Sequence, residues 1–143
     1  MAVIEGFRAQ NFRALRDVTL GRLSGQDGVP LTPFTVVIGK NGVGKSSLFD
    51  AFGFVADCLA TDVETACDQK QRGGFERLRS KGINEPISFE IYYREAHDER
   101  PITYELSINR DRSGRPFVKR ELLKQRRRGH RWVLWRGQIP FRW

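Results

Sequence analysis

Apolar and polar positions divide this chain of 143 residues into three stretches. Residues 2–38 read as strands. AVIEGFRAQNF carries apolar side chains at Val3, Ile4, Phe7 and Phe12, and LRDVTL follows after a short turn. GRLSGQDGVPLTP, rich in Gly, Ser, Asp and Pro, reads as a loop, because these residues suit turns better than ladders. FTVVIG then brings Phe34, Val36, Val37 and Ile38 in a nearly continuous apolar run. That pattern predicts a central strand covered on both faces.

The second stretch changes period. Past Lys45, apolar Leu48, Phe49, Phe52, Val55, Ala56 and Leu59 recur at steps of three and four and mark one face of a helix. Gly53 lies inside that helix, where glycine costs about 1 kcal/mol relative to Ala; a close packing contact would explain it. Residues 62–81 predict one or two short helices interrupted by Gly73 and Gly74. The third stretch alternates. PISFEIYYRE and PITYELSINR each place apolar residues on one face, with turn-forming EAHDER between them and DRSGR after. A strand over roughly Phe117 to Leu123 completes a meander, and RWVLW suggests one more, with Trp132, Trp135 and Trp143 in the ending.

The turn between the first two stretches carries the chemistry. Gly39, Lys40, Asn41, Gly42, Val43, Gly44, Lys45 and Ser46 match G-x-x-x-x-G-K-[ST], and Ser47 follows. Gly39, Gly42 and Gly44 allow the backbone to curl so that successive N–H groups face phosphate oxygens. Lys45 is suited to reach the β- and γ-phosphates, and the Ser46 hydroxyl to ligate Mg2+. The helix starting here adds the positive end of its dipole. A strand before the loop and an amphipathic helix after it are the setting this Walker A pattern requires. No N-K-x-D guanine-reading motif is present, so ATP is the expected ligand.

Composition narrows the setting. The length suits one domain, and 29% charged with 39% hydrophobic residues is ordinary for a globular protein. No apolar run approaches the ~18 residues that cross a bilayer. MAVIEGFRAQ lacks the basic start and apolar stretch of a secretory signal, so a cytoplasmic location without membrane contact is expected. Cys58 and Cys67 stand far from His97 and His130 and form no CxxC spacing, and they read as free thiols without a role. Charge is uneven: residues 1–70 hold 7 Lys and Arg against 8 Asp and Glu, whereas residues 110–143 hold 12 against 2. Such a basic segment suits an acidic partner, nucleic acid being the commonest, or else a solvated face or a contact within a larger assembly.

Beyond the loop, Phe7-Arg8-Ala9-Gln10-Asn11-Phe12-Arg13-Ala14-Leu15, then Val18-Thr19-Leu20, then the run from Phe34 to Gly42 resemble the start of an ABC-superfamily ATPase of the SMC/RecF/OLD-like type. Phe75-Glu76-Arg77-Leu78 and the meander from Ile87 resemble members of predicted anti-phage systems. The resemblance covers about residues 1–124. It implies an α/β fold: the N-terminal lobe of a P-loop NTPase, with a mixed sheet, a Walker A helix and an antiparallel meander. It also implies that residues 1–143 are one partial ATP-binding domain, with Arg13 near the nucleotide alongside the loop residues. The partners it implies are ATP, a second copy or a C-terminal lobe, and DNA or a nuclease, in DNA repair or phage defence.

Two features depart from that pattern. No strand of four apolar residues ends in Asp-Glu after the loop; in FEIYYRE, Arg94 stands where the Asp belongs. Those acids would hold Mg2+ and activate water, so binding is expected and hydrolysis by this chain alone is not. Leu23-Ser24-Gly25-Gln26-Asp27 imitates the family's LSGGQ signature but precedes the glycine turn and reads as a loop. The chain thus resembles a first lobe, whether a truncated product, a fragment or part of a split protein. A non-catalytic nucleic-acid-binding module using residues 110–143 is the alternative, and a small phosphotransferase lacks a lid and acceptor site.

Overall fold

A computed structural model describes residues 1–97, 99–126 and 132–135. The strands are β1 (Val3–Phe12), β2 (Leu15–Gly21), β3 (Ile87–Arg94), β4 (Ile102–Arg110), β5 (Pro116–Arg126) and β6 (Trp132–Trp135). The helices are α1 (Lys45–Ala60), α2 (Val63–Asp68) and α3 (Phe75–Leu78). The class is α/β as expected. The sheet runs β2-β1-β3-β4-β5-β6, and each neighbouring pair is antiparallel. The expected mixed sheet is therefore corrected, and the reason lies in the FTVVIG run. It forms no strand: Phe34, Val36 and Ile38 are 83%, 62% and 90% exposed. An apolar run becomes a central strand only where neighbours take its N–H and C=O groups on both sides. No described strand is its neighbour in the sheet.

One face of the sheet is apolar and carries the helices. Phe7 and Ala9 of β1 line up beside Ile91 and Phe89 of β3, which pair with Tyr104 and Leu106 of β4. Phe12 joins the same side although it is out of step with Phe7 and Ala9. Asn11 before it has φ 59, a left-handed backbone that breaks the strand's alternation. Phe12, Phe54 and Phe89 then meet with ring centroids 5.4–5.9 Å apart, and Phe52 stacks on Phe7 at 4.0 Å. Edge and offset contacts of this kind add to what burial of the rings contributes.

Helix α1 exists where its periodicity predicts it, but it is turned about its axis. Leu48, Ala51, Phe54 and Val55 are buried, whereas Phe49 and Ala56 are exposed. Gly53 is not explained by a close approach, since a methyl there would meet only the Arg72 guanidinium at an ordinary 3.7 Å. The short helices expected over 62–81 are α2 and α3, and Asp62 caps α2 by accepting from the Thr65 N–H at 2.8 Å. Residues 23–27 belong to no helix or strand, as expected of a loop, with a turn at Ser24 and Gly25. The tryptophan side chains and residues 127–131 of the basic ending lie outside the described residues.

Candidate phosphate-binding site

The glycine turn leads straight into α1. Gly42 and Gly44 have φ 86 and 102, a left-handed backbone that side chains resist. Gly44 is the N-cap of α1, its C=O accepting from the Leu48 N–H at 2.9 Å. No side chain caps this end, and the first turn holds no acid. The helix thus begins with unpaired N–H groups and an uncompensated positive dipole end. The exposed position of Gly39, Lys40, Asn41, Gly42, Val43 and Ser46 leaves the turn open to solvent; Gly44, Lys45 and Ser47 are half-buried. Lys45 folds back over the turn and its Nζ donates to the Gly39 and Lys40 carbonyls. These residues fit a phosphate group, with a cation, a hydroxyl and a helix N-terminus gathered at one turn. The strand that should brace the turn from the other side is the unformed FTVVIG run.

The β1–β2 turn closes against the start of α1. A Cβ placed on Gly44 would touch Leu15 Cδ2 at 3.4 Å and Ala14 Cβ at 3.5 Å. Arg13, the residue before, has φ 49 and is pinned on both sides: its N–H donates to the Leu78 carbonyl at 2.6 Å and its carbonyl accepts from Ser80 Oγ at 2.7 Å. Its side chain is not a free strand-end charge. Nε meets Asp50 Oδ2 of α1 at 2.6 Å.

Asp50 and its other partner were not singled out by sequence reading. Arg72, in the α2–α3 connection, is buried, with its side chain 1% exposed. It reaches Asp50 Oδ1 at 3.2 Å, Asp57 Oδ2 at 2.6 Å and the Ala66 carbonyl at 3.0 Å, and lies over the Phe54 ring. Lys70 completes the set on Asp57 at 3.0 Å. Burial pushes the Asp57 carboxyl up, but hydrogen bonds and charge from Arg72 and Lys70 outweigh it and hold it below the ordinary value. One signal was available: Asp50 and Asp57 are two helical turns apart and share a face.

Other candidate chemistry lies elsewhere. A groove of about 1150 Å3 runs between the end of α1, α2 and strands β4 and β5, away from the glycine turn. Its walls carry both signs of charge, joined by the Arg115–Glu64 ion pair at 2.8 Å. Phosphate binding would need N–H donors and a cation rather than a large cavity. Cys58 and Cys67 are free; burial pushes the Cys67 thiol up to about 12 and raises Cys58 further, so both stay protonated and unreactive. In the basic segment, Arg110 pairs with Glu76, Arg115 with Glu64, and Arg120 and Lys124 with Glu105. Among the described residues no helix is long and apolar enough to cross a membrane, and no group of three metal-ligating side chains gathers.

A comparison with known families covers the turn. Residues 34–143 match the family described as "AAA domain, putative AbiEii toxin, Type IV TA system". No curated protein and no solved structure matches the chain. The match opens on the FTVVIG run and takes in the glycine turn, α1 and the strands from β3 onward. Well over half of the sequence is thus covered, and the chain belongs to this AAA domain family and with it to the P-loop NTPases.

Proposed function

We propose that this chain binds ATP with Mg2+ at the turn from Gly39 to Ser47. The observation that carries the reading is the uncapped start of α1 directly after the left-handed Gly44, with Lys45 at its first position. Backbone N–H groups of Asn41, Gly42, Val43 and Gly44 and of the first turn of α1 would hold phosphate oxygens. Lys45 would give up the Gly39 and Lys40 carbonyls for them. The Ser46 hydroxyl would ligate Mg2+, with Ser47 and Arg13 beside the nucleotide. When bound, the metal neutralises charge on the phosphates. The chain's own residues grip and orient, and the sequence after the turn has no apolar strand ending in Asp-Glu to supply an acid that activates water. β3 ends in Arg94, tied to Glu5 at 2.5 Å, in the place where the hydrolytic acids were sought.

The finer assignment is to an SMC/RecF/OLD-like ATPase of DNA repair or phage defence, working as a homodimer or with a C-terminal lobe, on DNA or with a nuclease, in the cytoplasm. Its support is the NFRAL hairpin, which meets α1 at Gly44. Residues 1–143 would be one partial ATP-binding domain. The basic segment supports a separate nucleic-acid module less well, because four of its side chains are engaged with acids of this chain.

Titration of the purified chain with Mg-ATP tests the reading. Saturable binding is expected that falls at least about tenfold in Lys45→Ala, the size of one lost charge-assisted contact. Equal affinity of the two proteins would sink it. Turnover should stay at background, and steady ATP hydrolysis abolished by Lys45→Ala would show that an unrecognised acid serves the site.

A further inference from the structure

We propose that Asp50 and Arg72 are positioning residues for phosphate binding, acting through Arg13. The inference rests on the phosphate-site reading above and adds residues that neither the glycine motif nor the hairpin resemblance includes. Arg13 sits one residue from Ala14, whose Cβ would meet a side chain placed on Gly44 at 3.5 Å, at the entrance of α1. Its backbone is held by Leu78 and Ser80, so only the guanidinium has freedom to move. Asp50 removes that freedom. Arg13 Nε and Asp50 Oδ2 lie 2.6 Å apart and are both shut off from solvent; they form an ion pair without hydrogen-bond alignment, and the Arg13 side chain as a whole keeps 36% of its surface accessible. The Asp50 charge therefore holds the buried part of the side chain while the rest stays accessible.

Asp50 could not hold this geometry alone. A carboxylate on a helix facing one long, partly exposed side chain forms a weak and mobile pair. Its second oxygen is taken by Arg72, whose guanidinium is buried, seated over Phe54 and bound again to Asp57 and the Ala66 carbonyl. Arg72 thus fixes Asp50 from behind, and Asp50 fixes Arg13 in front. A cation held ready beside a phosphate site loses less side-chain entropy when the anion arrives than one that must be ordered then.

The experiment is a double-mutant cycle on the full chain, read by Mg-ATP titration. Asp50→Asn should weaken binding about fivefold in the wild-type background and change it less than about twofold in an Arg13→Ala background. Arg72→Met should show the same dependence on Arg13, and Arg72→Lys should recover most of the affinity. General damage to the fold would not depend on Arg13. Equal losses in both backgrounds, or no loss in either, overturn the proposal while leaving the phosphate site standing. A wild-type chain that fails to bind Mg-ATP overturns both. Should Arg72→Met unfold, Asp50→Asn still decides the question, because Asp57 keeps Arg72 paired.

Discussion

Phe54 and Phe34 are the same residue type on either side of the glycine turn, yet one is fully buried and the other 83% exposed. The contrast extends to their surroundings. Phe54 belongs to a helix whose backbone satisfies itself, so its ring needs only an apolar face, which β1 and β3 supply through Phe12 and Phe89. Phe34 belongs to a run whose full burial calls for a strand, and a strand needs neighbours; without them only Val37 of the run packs against the core. Hydrophobicity sets what burial is worth; backbone hydrogen bonding decides whether it happens.

The largest way to break this comparison is to remove both rings in turn. Phe54→Ala should lower unfolding free energy by about 3–5 kcal/mol, the cost of a cavity at a packed aromatic site, whereas Phe34→Ala should change it by less than about 0.5 kcal/mol. Urea denaturation of the two variants measures this. A substantial loss from Phe34→Ala would mean that the run is buried in solution.

The ion pairs that hold α1 come next. Asp57→Asn strips one partner from buried Arg72 and should cost about 1–3 kcal/mol at pH 7. Because the folded carboxyl titrates below its ordinary value of 3.8, its contribution is complete above that value and is lost as pH falls through the folded one. The gap between wild type and variant should therefore close toward acid, as melts across that range will show.

Gly53→Ala should act in the other direction. The position is helical, with room for a methyl against Arg72, so a gain of about 0.5–1 kcal/mol is expected in thermal or urea denaturation.

The smallest effect lies on the polar face of the sheet. Glu90 stands directly opposite Glu105, and burial, then the Glu105 charge, push its carboxyl above the ordinary 4.5. The folded state therefore holds this proton longer than the unfolded chain, and stability falls as pH rises from about 4.5 through the raised value. Glu90→Gln should stabilise the protein at pH 7 by about 0.2–1 kcal/mol, the range of a cross-strand pair, and the gain should vanish in acid.

By itself the sequence determined the local features. Turn residues marked the glycine loop and the 21–33 loop, apolar positions marked β1, alternation marked β3 and β4, and the 3.6-residue period marked α1, because each depends on neighbours close along the chain. The glycine motif with Lys45 and Ser46 was legible for the same reason, and the family match covers those residues. Only the tertiary structure decided which strands neighbour which, and so that the sheet is wholly antiparallel and Phe34 to Ile38 stay outside it. It also turned α1 to bury Ala51 and Phe54 in place of Phe49 and Ala56. The Arg13–Asp50–Arg72–Asp57 set was beyond reading for a related reason. Its members come from three separate parts of the chain, and charge pairing across such distances follows from packing, which a pattern along one dimension does not contain.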